Sequence, residues 1–123
     1  MRSDALSTRV IGCAIEVHRT LGPGLLESTY EQCLVHELRS NGIDCESQHP
    51  LPVHYKGIRL ECGYRIDLFV AGKIIVELKS VEELKALHTA QLLTYMRLAS
   101  VKHGFLINFN VPRLKDGLKS FLL

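Results

Sequence analysis

Asp67, Glu77 and Lys79 are the residues of this chain whose types and spacing can do chemistry. Two carboxylates held a few ångströms apart offer the oxygen donors that a hard divalent cation such as magnesium takes, with waters and phosphate oxygens filling its other positions. An amine beside them can orient an attacking water or offset charge that grows on a phosphate. The alternative is structural: alternating charges on a solvated strand face, where an ion pair contributes little.

Whether the three meet depends on the strands that carry them. In Tyr64–Val70, alternation puts Ile66, Leu68 and Val70 on one face, and in Ile74–Lys79 it puts Ile74, Val76 and Leu78 on one face. Both apolar sets bury together only if the connecting loop has odd length. A two-residue Ala71-Gly72 loop would set Glu77 and Lys79 opposite the apolar row, so a three-residue loop with Gly72 in a left-handed conformation is expected. That choice rests on hydrophobicity alone, and it gathers Asp67, Glu77 and Lys79 on the other face.

The remaining elements follow from periodicity and punctuation. Ser3 or Asp4 can cap a first helix with Val10, Ile11, Ala14, Ile15, Val17 and Leu21 on its apolar side, broken at Gly22-Pro23-Gly24. A second helix is expected from Leu25 to Ser40, with Leu26, Tyr30, Leu34 and Leu38 on one stripe and Asn41-Gly42 ending it. Pro50 and Pro52 suggest an edge strand, and Val53-His54-Tyr55 and Ile58-Arg59-Leu60 flank a turn at Lys56-Gly57. A helix over 82–99, a strand from Gly104 to Phe109 and a short helical or extended tail after Pro112 complete the order. This predicts an α/β (α+β) fold, one mixed β-sheet flanked by helices.

The 123 residues suit one domain with one core, spanning 1–123. A formal net charge of +2 permits contact with nucleic acid without arguing for it. Cys13, Cys33, Cys45 and Cys62 stand singly, without metal-ligand spacing, and read as reduced thiols. The N-terminal residues lack the apolar run of a signal peptide and no stretch is fit to span a bilayer, so the cytoplasm is the expected location and no membrane partner is expected.

Asp67 followed by Glu77-Leu78-Lys79 resembles the signature of the PD-(D/E)XK nuclease superfamily. Gln91-Leu92-Leu93-Thr94-Tyr95 is similar to the Q-x-x-x-Y motif of its RecB-like members. Gly24-Leu25-Leu26-Glu27-Ser28-Thr29-Tyr30 matches the motif that names the small GxxExxY family, and Leu21-Gly22-Pro23, Leu51-Pro52-Val53, His88 before Gln91 and Asn108-Phe109 also resemble that family. No proline immediately precedes Asp67, where the superfamily's name would place one. The resemblance covers nearly the whole chain and implies a restriction-endonuclease-like fold.

It further implies a nuclease dependent on Mg2+ or Mn2+ that hydrolyses phosphodiester bonds in nucleic acid, with DNA the first expectation and RNA the second. Asp67 and Glu77 would be metal ligands, with the Leu78 main-chain carbonyl as a third. Lys79 would act on the water or the scissile phosphate. Glu27 would reach the metal directly or through water, and Gln91 and Tyr95, one helical turn apart, would face the site. A nuclease fold that binds nucleic acid or a protein without cutting is the alternative function, and a homodimer is compatible with either.

Each supporting residue also has a structural reading. Glu27 can serve as a first-turn acid favoured by the helix dipole. Tyr30 lies on the apolar stripe and is expected in the core. Gln91 sits among Leu87, Leu92 and Leu93, where an apolar residue would bury more cheaply. His18, His36, His49 and His54 are expected at the surface or partly buried, and His88 at the rim of the site. Arg65, Lys73, Lys85, Arg97, Lys102, Arg113, Lys115 and Lys119 are solubility charges, some of them placed to hold a phosphate backbone.

Overall fold

The computed structural model describes residues 4–123. Helix α1, Ala5–Leu21, opens on Asp4, whose carboxylate accepts the Ser7 main-chain N–H at 2.7 Å; Ser3, the other expected cap, lies outside the described residues. Val10, Cys13, Ala14 and Val17 are buried, whereas Ile15 and Leu21 are exposed, so the packed stripe is narrower than the apolar pattern suggested. Gly22, at φ +72°, ends the helix and donates its N–H to His18 O.

Helix α2, Glu27–Ser40, starts two residues later than expected. Leu26 is extended and its side chain points to solvent, leaving Tyr30, Leu34 and Leu38 as the buried stripe. Tyr30 accounts for the late start. Its hydroxyl donates to Gly22 O at 2.6 Å and accepts the Leu25 N–H at 3.1 Å, which holds the preceding loop in a non-helical path. Its ring stacks on Phe109 with centroids 4.6 Å apart, so Tyr30 is core, as its place on the stripe implied.

The strands are β1 Cys45–Pro50, β2 Val53–Tyr55, β3 Ile58–Leu60, β4 Arg65–Val70, β5 Ile74–Lys79, β6 His103–Asn108 and β7 Leu118–Leu122. The main sheet has the order β1-β4-β5-β6-β7; β5 and β6 run parallel and the other neighbours antiparallel. The expected mixed sheet flanked by helices is therefore present. Strands β2 and β3 form a separate hairpin, and the proline-marked segment contributes the edge strand β1, which ends at Pro50.

The tail yields both forms anticipated for it, a 3-10 turn at Leu114–Asp116 and then β7. β7 is weakly patterned because it is an edge strand with little burial. Helix α3, Ala86–Leu98, begins four residues after the expected start at Glu82. Asn108 is the reason: its side chain accepts the Val81 N–H and donates to Val81 O, fixing the segment after β5 as a loop.

The helices cover opposite faces of the sheet. Val10, Ala14, Tyr30, Leu34 and Leu38 of α1 and α2 pack on Leu68, Val70, Ile74, Val76, Leu78, Phe105 and Ile107. Leu92, Tyr95 and Met96 of α3 pack on Leu51, Ile66, Ile75 and Leu106. Ile66 thus departs from the expected face and joins the α3 side. The regular β4–β5 pairing stops at Leu68 and Val76, so strict alternation does not carry past Asp67. The loop has the expected three residues, Ala71-Gly72-Lys73; both Ala71, at φ +52°, and Gly72, at φ +66°, are left-handed.

Candidate active site

Continuing the β4–β5 register past Leu68 and Val76 sets Asp67 opposite Glu77. There the Asp67 side chain replaces the ladder, its Oδ2 accepting the Leu78 main-chain N–H at 2.9 Å. This bond fixes one carboxylate oxygen against the strand that carries Glu77 and Lys79.

Glu77 is 5% exposed, and its Oε1 is buried without a hydrogen-bond partner. Burial, and then the Asp67 carboxylate beside it, push the Glu77 carboxyl up to about 10, while the Lys79 charge offsets part of the rise. Two neighbouring acids with an orphaned oxygen make an arrangement that a cation would complete.

A third acid approaches from α2. Gln48 stands on β1 between the Ser47–Leu68 and His49–Ile66 pairs, and its amide donates to Glu31 Oε1 at 2.7 Å and to Asp67 Oδ1 at 3.4 Å. Burial raises the Glu31 carboxyl; the Gln48 amide lowers it, and the charges of Asp67 and Glu27 raise it further. Gln48 is non-glycine at φ +54°, a strained conformation at the position facing Asp67.

Glu31 and Gln48 were not singled out from the sequence. Glu31 lies four residues after Glu27 on one helical face, a spacing that was available as a signal. Gln48 carried none, because only strand pairing brings it to Asp67. Glu27 itself is exposed at the first turn of α2 and makes no hydrogen bond to Asp67 or Glu77. The Ser80 hydroxyl donates to Leu25 O at 2.6 Å and ties the start of α2 to the end of β5.

From the other side, the Gln91 amide donates to the Tyr95 hydroxyl at 3.2 Å. Tyr95 is buried and senses Glu77 and Asp67: burial raises its phenol, the Gln91 bond lowers it, and the two carboxylates raise it again. Gln91, expected among apolar neighbours, is instead exposed. The Leu78 side chain is in the core, its N–H held by Asp67. Past Lys79 an open cavity of about 620 Å³ is lined by Val81, Glu82, Glu83, Lys85 and His88, with His88 Nδ1 accepting the Lys85 N–H. His18, expected at the surface or partly buried, is buried and bonds Val111 O at 2.7 Å. The four cysteines are free thiols.

The profile of the PD-(D/E)XK nuclease superfamily matches residues 4–121. The chain belongs to this superfamily. No curated protein and no solved structure gives a significant match. Membership agrees with the fold, whose five-stranded mixed sheet flanked by helices is restriction-endonuclease-like. It implies nuclease activity in general and a nucleic-acid substrate, and PD-(D/E)XK nucleases typically use divalent metal ions.

The donor set of this PD-(D/E)XK chain fits such an ion in its chemistry. Among the described residues no three His, Cys, Asp or Glu side chains cluster as ligands. Magnesium, however, is commonly held by one or two carboxylates, with waters and substrate oxygens. The unpartnered Glu77 oxygen beside Asp67 would be one of those carboxylate donors. No helix among the described residues is long and apolar enough to cross a membrane.

Proposed function

We propose that this chain is a nuclease of the GxxExxY branch, with a RecB-like Q-x-x-x-Y helix, that hydrolyses phosphodiester bonds in DNA in preference to RNA with Mg2+ or Mn2+. The observation that carries the proposal is the buried, unpartnered Glu77 oxygen beside Asp67 on adjacent strands, with Lys79 two residues on. Asp67 and Glu77 hold the cation, with the Leu78 carbonyl as a third donor and Glu27 contributing directly or through water. The bound cation supplies Lewis-acid charge that makes water more acidic and offsets phosphate charge. Lys79 orients the attacking water or stabilises the phosphate in the transition state. Gln91 and Tyr95 position the substrate strand from α3. The domain spans the chain and acts in the cytoplasm.

The test is incubation with single-stranded, duplex and branched DNA and with RNA, with and without EDTA. Cleavage that requires metal and disappears in both Asp67→Ala and Lys79→Ala supports the assignment. Metal-dependent cleavage that persists in either variant defeats it.

A second reading, a nucleic-acid- or protein-binding module without catalysis, draws on the same carboxyl. A Glu77 kept protonated near neutral pH offers less charge to a cation. Calorimetric titration separates the two: magnesium binding lost on Asp67→Asn favours the enzyme, and salt-sensitive DNA binding without magnesium uptake favours the module.

A further inference from the structure

Gln91 and Tyr95 open onto a groove whose other walls the proposed hydrolysis does not use. It is a cavity of about 410 Å³ between the start of β2, the residue before β4 and the outer side of α3, lined chiefly by Val53, Tyr64, Leu87, Gln91, Tyr95 and Leu98. None of its lining side chains is charged. Tyr64 and Leu87 are 48% and 78% exposed, an unusual investment of large apolar surface outside the core. The Tyr64 and Tyr95 rings meet edge to face with centroids 6.1 Å apart, and the Gln91 amide reaches the Tyr95 hydroxyl at the same wall.

Tyr95 joins the groove to the candidate active site: it lines the groove with Tyr64 and packs in the same cluster as Ile66, the neighbour of Asp67 on β4. A phosphodiester held at Asp67 and Glu77 carries a base within one nucleotide of the reacting phosphorus. An uncharged wall of aromatic and aliphatic side chains suits the flat face of such a base and does not suit a phosphate. Exposed amide and hydroxyl groups, Gln91 and Thr94, are placed to meet the polar edge of a base. A base within a duplex keeps its faces stacked on its neighbours, so only an unpaired base can present one to Tyr64.

We infer that this groove is a stacking site for an unpaired nucleobase next to the scissile phosphate, which makes single-stranded or frayed nucleic acid the substrate class. The inference rests on the proposed nuclease reading for its direction, but its test does not depend on cleavage. Tyr64 is a binding residue here, and Leu87 forms part of the opposite wall.

The experiment uses the full chain in EDTA, so that no strand is cut, and short single-stranded DNA carrying a fluorescent 2-aminopurine. Stacking on Tyr64 quenches the probe. Affinity for the single strand is expected to exceed that for an abasic strand of equal length, or for the duplex, by about 10-fold or more. Tyr64→Ala and Leu87→Ser, both at exposed positions, should abolish the quench and this preference, while Tyr64→Phe retains them. Equal affinity for normal and abasic strands, or a preference untouched by Tyr64→Ala, overturns the inference. So does sedimentation showing a dimer that Leu87→Ser dissociates, because the groove would then be covered by a second copy. Base-dependent binding in a chain that never cleaves would leave the groove standing and remove the nuclease proposal; metal-dependent cleavage without base preference would do the reverse.

Discussion

The Asp67 carboxylate accepts the main-chain N–H of Leu78 at 2.9 Å, and so stands where the β4–β5 ladder would otherwise continue. One oxygen of the acid serves as a strand connector while the acid faces Glu77. The candidate site is therefore part of the sheet's hydrogen bonding. Substitutions there should affect stability, metal uptake and chemistry to separable degrees.

Glu77 should make the metal-free protein less stable as pH rises. Its carboxyl is near 10 in the folded chain against an ordinary 4.5, so the folded state keeps a proton that the unfolded state releases. This contribution is fully present below the ordinary value and is lost progressively as pH climbs toward 10. Glu77→Gln, which cannot ionise, should match the parent near pH 4 and exceed it at about pH 8 by about 2 kcal/mol or more, seen as a melting temperature higher by roughly 5 °C or more in EDTA. Equal pH profiles would show that Glu77 is not desolvated.

Metal uptake should displace that proton. Calorimetry of Mn2+ binding near pH 7 in buffers of different ionisation enthalpy should register release approaching one proton per ion, and affinity should rise with pH. At about 100 times the dissociation constant the ion should stabilise the fold by about 2.7 kcal/mol, an effect removed by EDTA and by Asp67→Asn.

Lys79→Ala should separate binding from chemistry. The metal-induced rise in melting temperature should persist, while the cleavage rate falls by about 100- to 1,000-fold, the usual cost of removing a group that stabilises transition-state charge. A mutant that instead loses metal binding would mean Lys79 only shapes the carboxylates.

Asn108→Ala should loosen the loop beyond Lys79. Asn108 is buried and bonds both main-chain groups of Val81 as well as the Asn110 N–H. Its removal orphans the Val81 and Asn110 N–H groups, while Val81 O keeps the Asn110 amide at 3.3 Å, and should cost about 2–3 kcal/mol, measured by urea denaturation, with faster hydrogen exchange at the Val81 amide. Unchanged exchange there would remove Asn108 as the loop's anchor.

Gly117→Ala should detach the edge strand. A Cβ at Gly117 would lie 2.1 Å from the main-chain oxygen of Asn108, and main chain cannot yield as a side chain can. A loss of at least about 1–3 kcal/mol is expected in denaturation, with exchange protection lost first along β7. Wild-type stability would mean that Gly117 does not approach Asn108 so closely.

The sequence by itself determined the order of helices and strands, the three-residue β4–β5 loop and the register that faces Asp67 toward Glu77. These follow from local periodicity, which is enforced wherever one side of an element must be dry. Tyr30 was legible as core for the same reason. Only the tertiary structure decided where the elements end and which distant residues reach the site. The Tyr30 hydroxyl and the Asn108 amide set the starts of α2 and α3 by bonding main chain outside their own elements. Ile66 changed face because the ladder yields to the Asp67 carboxylate, a side-chain bond that alternation cannot foresee. Gln48 reached Asp67, and Tyr64 reached Tyr95, through pairing and packing between segments far apart in the chain. Local sequence can encode the shape of an element, but contacts between elements depend on how they pack together on the two faces of one sheet.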